Sequence, residues 1–152
     1  MKKLLYFLLI FVGLICSPDL AKSQTKNIDC GCAPITPSTW KVVSHKSEGV
    51  YALDPANVKL IFFKDDTVDG SEILSKVKDI GLNACVLDYL MFHQELIPES
   101  WKTKHVVFPG TTFADSDGNE LIRFLKWWDG RWVIESIYVK SRVYDDKFVA
   151  TK

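Results

Sequence analysis

Cys85 stands two residues past Asn83, a helix-capping residue type, and so near the start of a predicted helix, where a thiolate is favoured. His105 opens a predicted strand 20 residues later, and Asp115 and Asp117 follow it. A thiol, an imidazole and a carboxylate are the parts of an activated nucleophile: the attacking group, its base and the group that orients the base. This set makes a small thiol hydrolase or redox protein one reading of the chain, with Cys85, His105 and Asp115 as its residues.

A Cys on a helix followed by His and a polar residue on strands resembles the order in papain-like peptidases of the NlpC/P60 type. In that family the His lies several tens of residues after the Cys. The polar and small residues that surround its nucleophile are replaced here by Val86 and Leu87. An apolar setting raises a thiol pKa and makes the thiol inert. Metal chemistry has less behind it. Cys30-Gly31-Cys32 lacks the two-residue spacer of zinc ribbons and thioredoxins, and no second cysteine pair completes a tetrahedral set. Asp115-Ser116-Asp117-Gly118-Asn119-Glu120 resembles part of a calcium loop, but counting from Asp115 the twelfth position is Lys126 where an EF-hand needs Glu. Phosphate-binding loops, Gly-x-Ser-x-Gly elbows and His-Glu-x-x-His motifs are absent from the sequence, so no cofactor is expected.

The remaining candidates are aromatic. Trp127, Trp128 and Trp132 gather at one end of a predicted hairpin with Arg131, and Trp and Arg are enriched at binding hot spots. Strand alternation puts Trp127 and Trp132 on one face and Trp128 on the other.

Residues 1–23 read as a secretory leader, which sets the compartment for all of this. Lys2 and Lys3 precede an apolar run from Leu4 to Ile15, too short to span a bilayer, and Pro18 breaks it. Ala21 and Ser23 supply small residues for cleavage after Ser23. Cys16 raises lipid anchoring as a lesser alternative, disfavoured by the bulky Ile15 before it. The expected location is periplasmic or secreted, with no transmembrane segment left in the mature chain. There the remaining cysteines, Cys30, Cys32 and Cys85, meet an oxidising environment; three allow one internal bridge, with 30–32, 30–85 and 32–85 all open. The 152 residues carry 19 Lys+Arg against 19 Asp+Glu, with 47% apolar and 12% aromatic side chains, which excludes disorder, collagen-like repeats and a basic nucleic-acid-binding protein. Losing Lys2, Lys3 and Lys22 with Asp19 leaves 16 basic and 18 acidic residues, so electrostatics favours neither nucleic acid nor anionic lipid as partner.

The elements that must position these groups follow from patterning. Residues 24–39, rich in Pro, Ser and Thr, read as an extended tether, and 40–152 as one domain. Strands are predicted at Trp40–His45, Val50–Leu53 and Val58–Phe63. Asp69 with Glu72 three residues on starts a helix that Gly81 ends; Asn83 caps a second, Ala84–Phe92, apolar nearly all round except Asp88 and therefore buried. Strands return at His105–Phe108, Asn119–Trp128 and Arg131–Val139, with a short one near Phe148. Asp129-Gly130 is a two-residue hairpin turn that sets Trp128 opposite Arg131 and Trp127 opposite Trp132. Both faces of that hairpin are semi-apolar, so both need cover. The expected fold is α+β, with an N-terminal β segment and two helices packed on a C-terminal antiparallel meander that curls toward a half-barrel.

Leu96-Ile97-Pro98-Glu99-Ser100-Trp101-Lys102, then Val106 to Thr111, Asp115 to Gly118 and Trp127 to Trp132, form a distinctive series. It resembles a pattern in small bacterial proteins with a LIPExWK segment, a Gly-Thr strand and a Trp-rich hairpin. The resemblance covers roughly residues 58–150 and implies one domain there, with no activity attached. The leading functional expectation is therefore a non-catalytic binding or inhibitor-like module of the cell envelope. Its partner would be a protein or glycan met at Trp127, Trp128, Arg131 and Trp132.

Overall fold

The structure is a computed structural model that describes residues 25–62, 69–77, 79–141 and 147–152. The leader, with Cys16 and Ser23, lies outside the described residues. Among them there are two helices and eight strands in two sheets, an α+β fold whose main sheet is not a closed barrel. Strands β1 (Lys26–Asp29) and β3 (Val50–Leu53) form a small antiparallel pair. The other six are β2 (Lys41–His45), β4 (Lys59–Phe62), β5 (His105–Ala114), β6 (Glu120–Trp128), β7 (Arg131–Tyr138) and β8 (Lys147–Thr151). They run β4-β8-β5-β6-β7, with β2 also paired to β5.

The β5-β6-β7 part is the expected meander, in the expected register: Trp128 pairs with Arg131 and Trp127 with Trp132 across Asp129 and Gly130, both at positive φ. The segment near Phe148 departs from a meander. It returns as β8 between β4 and β5, antiparallel to the first and parallel to the second. Strand β5 is also longer than expected, running on through Pro109-Gly110 to Ala114 with a register shift against β6 between Phe108 and Thr112.

Each face of the sheet has its own cover. Helix α1 (Gly70–Val77) lays Ile73 and Val77 on Val107, Ile122, Phe124, Val139 and Val149. On the opposite face helix α2 (Ala84–Phe92) packs Val86, Leu87 and Leu90 against Val106, Phe108, Leu125 and Trp132, where Ile28 and Leu53 of the small sheet and Trp101 join the same core. The alternation of Val106 and Val107 between the two cores is the pleat of β5 made visible. Asp69 caps α1 as expected, its carboxylate accepting from the Glu72 N–H at 2.9 Å. The described helix is Gly70–Val77, and Gly81 closes its last turn as expected, its N–H donating to Val77 C=O at 2.7 Å. Ile80 and Gly81 are at the same time drawn into the sheet edge: Gly81 bridges Thr151, and Lys152 N–H donates to Ile80 C=O.

That capture fills a gap. Along one edge of β5, β8 serves the first residues, His105–Val107, and β2 the last, Thr111–Ala114. Between them Leu82 acts as a one-residue strand, its N–H donating to Ala150 C=O while its C=O accepts from Gly110 N–H, both at 2.9 Å. Gly110 C=O accepts from Lys46 N–H at 2.8 Å, which completes the edge. A Cβ on Gly110 would meet the Asn83 Cα and N and the Gly81 O at 2.9 Å, all of them backbone. Gly110→Ala is therefore expected to lower unfolding free energy by about 1–3 kcal/mol in urea titrations, and a wild-type midpoint would show that the notch is not tightly packed.

Candidate functional site

The tether reading of residues 24–39 meets a different arrangement. Lys26–Asp29 is β1, Cys32 is joined to Cys85 at 1.97 Å, and Ile35 is held at both backbone groups. Asp88 Oδ2 accepts from Ile35 N–H and Arg123 Nη1 donates to Ile35 C=O, each at 2.8 Å. Asp88 and Arg123 bond each other at 2.6 Å with both side chains 8% exposed. Asp88 is the one acid of an apolar helix, and Arg123 the one base on the α2-facing side of β6 above Trp127. Each makes the other tolerable, since a buried charge without its partner is costly. Together they hold both backbone groups of one residue, Ile35, in the N-terminal arm.

The bridge settles the open pairing as 32–85, leaving Cys30 a buried free thiol. Burial pushes the Cys30 thiol above its usual range, with the nearby Lys152 charge opposing that shift. The 53-residue separation closes a loop worth about 4 kcal/mol in the chain-entropy picture.

Cys85 sits at the second position of α2, whose cap Asn83 is fully engaged. Asn83 Oδ1 accepts from the Cys85 and Val86 N–H groups, and its Nδ2 donates to the carbonyls of Cys30 and Lys46. The imidazole beside Cys85 is His45, with Nε2 3.8 Å from Cys85 Sγ. The network fixes its tautomer. Thr111 Oγ1 accepts from Ala84 N–H and donates its proton to His45 Nδ1 at 2.8 Å, so Nε2 carries the hydrogen, which it donates to Cys30 C=O at 3.0 Å.

The expected thiol set of Cys85, His105 and Asp115 is not brought together. Cys85 is bridged and lies in the α2 layer. His105 opens β5 with its ring 5.2 Å from that of Phe124, which belongs to the core on the α1 face. Asp115 is beyond the other end of β5, about 30 Å along the strand from His105. Its carboxylate accepts from the N–H groups of Asp117 and Asn119, so it builds the turn. Nothing in the sequence flags His45 as the neighbour of Cys85. The two are 40 residues apart and meet only because His45 pairs with Thr111 in the β2–β5 ladder while α2 starts against the same residue.

At the hairpin end the aromatic residues divide. Trp127 and Trp132 pack edge to face at 5.3 Å, Trp132 is buried, and the Lys102 ammonium lies 4.1 Å from the Trp127 ring. Trp128 is 63% exposed on the other face, and Arg131 opposite it is exposed as well. The Lys126 ammonium lies 5.0 Å from the Trp128 ring and pairs with Glu135 at 2.7 Å. Searches of protein families, curated proteins and solved structures find no match to this chain.

Removing one member of the buried pair isolates the other. Arg123→Ala is expected to cost about 3–5 kcal/mol in chemical denaturation, and the double change Asp88→Leu with Arg123→Met clearly less. If the double variant falls as far as the single one, the arm contacts at Ile35, and not the stranded carboxylate, dominate the loss.

Proposed function

We propose that the protein is a non-catalytic binding module of the cell envelope, exported by way of the leader in residues 1–23, that meets a protein or glycan partner at the tip of the β6–β7 hairpin. One observation carries the reading: Trp128, a large apolar side chain, is 63% exposed on an ordered hairpin. Trp and Arg side by side supply area and directed hydrogen bonding at small entropic cost, which is why such pairs anchor interfaces. Trp127 and Trp132 brace the tip from the other face. The disulfide is compatible with an oxidising compartment, and no helix among the described residues is long and apolar enough to cross a membrane.

The test uses the purified mature protein as bait for envelope extract and for immobilised envelope glycans. Trp128→Ala and Arg131→Ala are expected to weaken retention of the bound partner by about 2 kcal/mol or more each, with unfolding midpoints unchanged because both side chains are exposed. If both variants keep every partner that wild type keeps, the tip is not the contact surface.

A further inference from the structure

We propose that the Cys32–Cys85 disulfide is a thiol–disulfide exchange site, at which an external thiolate attacks Cys32 and Cys85 departs into a prepared setting. It lies on other elements than the hairpin tip and does not depend on the binding reading. The two sulfurs are not equivalent. Cys32 belongs to a partly exposed turn between the exposed Gly31 and Ala33, whereas Cys85 is 3% exposed. The bridge therefore leads from the surface inward. A thiolate arriving from solvent reaches Cys32 first, and displacement along the bridge makes Cys85 the leaving group.

Two independent features favour Cys85 as that leaving group. It stands in the first turn of α2, where the helix dipole favours negative charge. His45 Nε2–H is 3.8 Å from Cys85 Sγ and can turn its hydrogen from the Cys30 carbonyl, which keeps the Asn83 Nδ2 donor, to a thiolate there. Asp88, one turn further along the helix, would oppose a second negative charge, but its own is matched by Arg123 at 2.6 Å. Better stabilised leaving thiolates leave faster. Atoms and electrons balance with a monothiol as co-reactant. RS⁻ bonds to Cys32 Sγ, the bridge breaks, and its electron pair leaves on Cys85 Sγ. A second RS⁻ then takes the R-bound sulfur, giving RSSR and the Cys32 thiolate, so two thiols supply the two electrons.

A bridge that only staples the chain would react solely through opening of the fold, which gives a clear experiment. Oxidised protein, as wild type and with Cys30→Ala to remove the third thiol, is mixed with reduced glutathione in native buffer. Adducts are mapped by mass spectrometry against the unfolding rate under the same conditions. The expected result is glutathione on Cys32, formed at a rate that rises in proportion to glutathione and exceeds the unfolding rate. His45→Phe is expected to slow the adduct about tenfold, the effect of losing a hydrogen bond to a charged group. A rate that levels off at the unfolding rate, an adduct on Cys85, or a His45→Phe variant as fast as wild type would each overturn the proposal. The position and concentration dependence of the wild-type adduct decide the matter even if the His45 variant is unstable.

Discussion

One edge of β5 imposes the constraint on which the rest of the molecule depends. Its backbone N–H and C=O groups run through the interior, where an unmet hydrogen bond costs about 1–3 kcal/mol, and no single strand covers them all. Strand β8 supplies the first part, β2 the last, and Leu82 the step between. The solution requires glycine at 110, because the incoming chain presses its backbone against that position. It also requires Ile80 and Gly81, at the end of helix α1, to reach the sheet, and helix α2 to begin at once, with Asn83 turning the chain. Both helices are thus placed, on opposite faces of the sheet, by the way Ile80, Gly81, Leu82 and Asn83 meet it.

The polar groups around Cys85 follow from the same placement. Once α2 starts beside Thr111, the Ala84 N–H finds that hydroxyl, the hydroxyl finds His45, and His45 finds the carbonyl of Cys30. Asn83 reaches the same carbonyl and that of Lys46. An apolar helix end is thereby bound to β2 and to the N-terminal arm through groups whose donors and acceptors are matched, as buried polar networks must be. The arm then continues outward through Cys32 to Ile35, where Asp88 and Arg123 take over.

Sequence reasoning reached the parts of this architecture that are local. The β6–β7 register was readable because a two-residue turn fixes pairing along the whole hairpin, from Trp128 and Arg131 down to Leu121 and Tyr138. The caps Asp69 and Asn83 were readable because their chemistry acts within three residues. The demand for cover on both sheet faces followed from side-chain alternation, and α1 and α2 meet it. The insertion of β8 was not legible, since a short apolar strand carries no mark of its neighbour. Asp88 stood out as the polar residue of an apolar helix, yet only the packed structure shows that it belongs with Arg123 and that the two hold Ile35. The Pro- and Thr-rich composition of residues 24–39 pointed to a tether because composition cannot register a pairing with β3 or a bridge to α2. His45 was missed for the same reason as β8: its role depends on contacts far apart in sequence.

The position of β8 has a temporal side. It lies between β4 and β5, yet every residue of both is translated before it. Until Lys147–Thr151 arrive, β4 has no neighbour in the main sheet among the described residues, and the first residues of β5 lack the partner on that edge. Nor can Leu82 be anchored, since one of its two hydrogen bonds ends on Ala150. The sheet therefore cannot be built up strand by strand from the N-terminus as the polypeptide emerges. Its decisive pairings are long-range ones, whose loop-closure cost must be met before any of them is rewarded, the pattern of slow-forming topologies. For such an order of assembly nothing is gained by starting early.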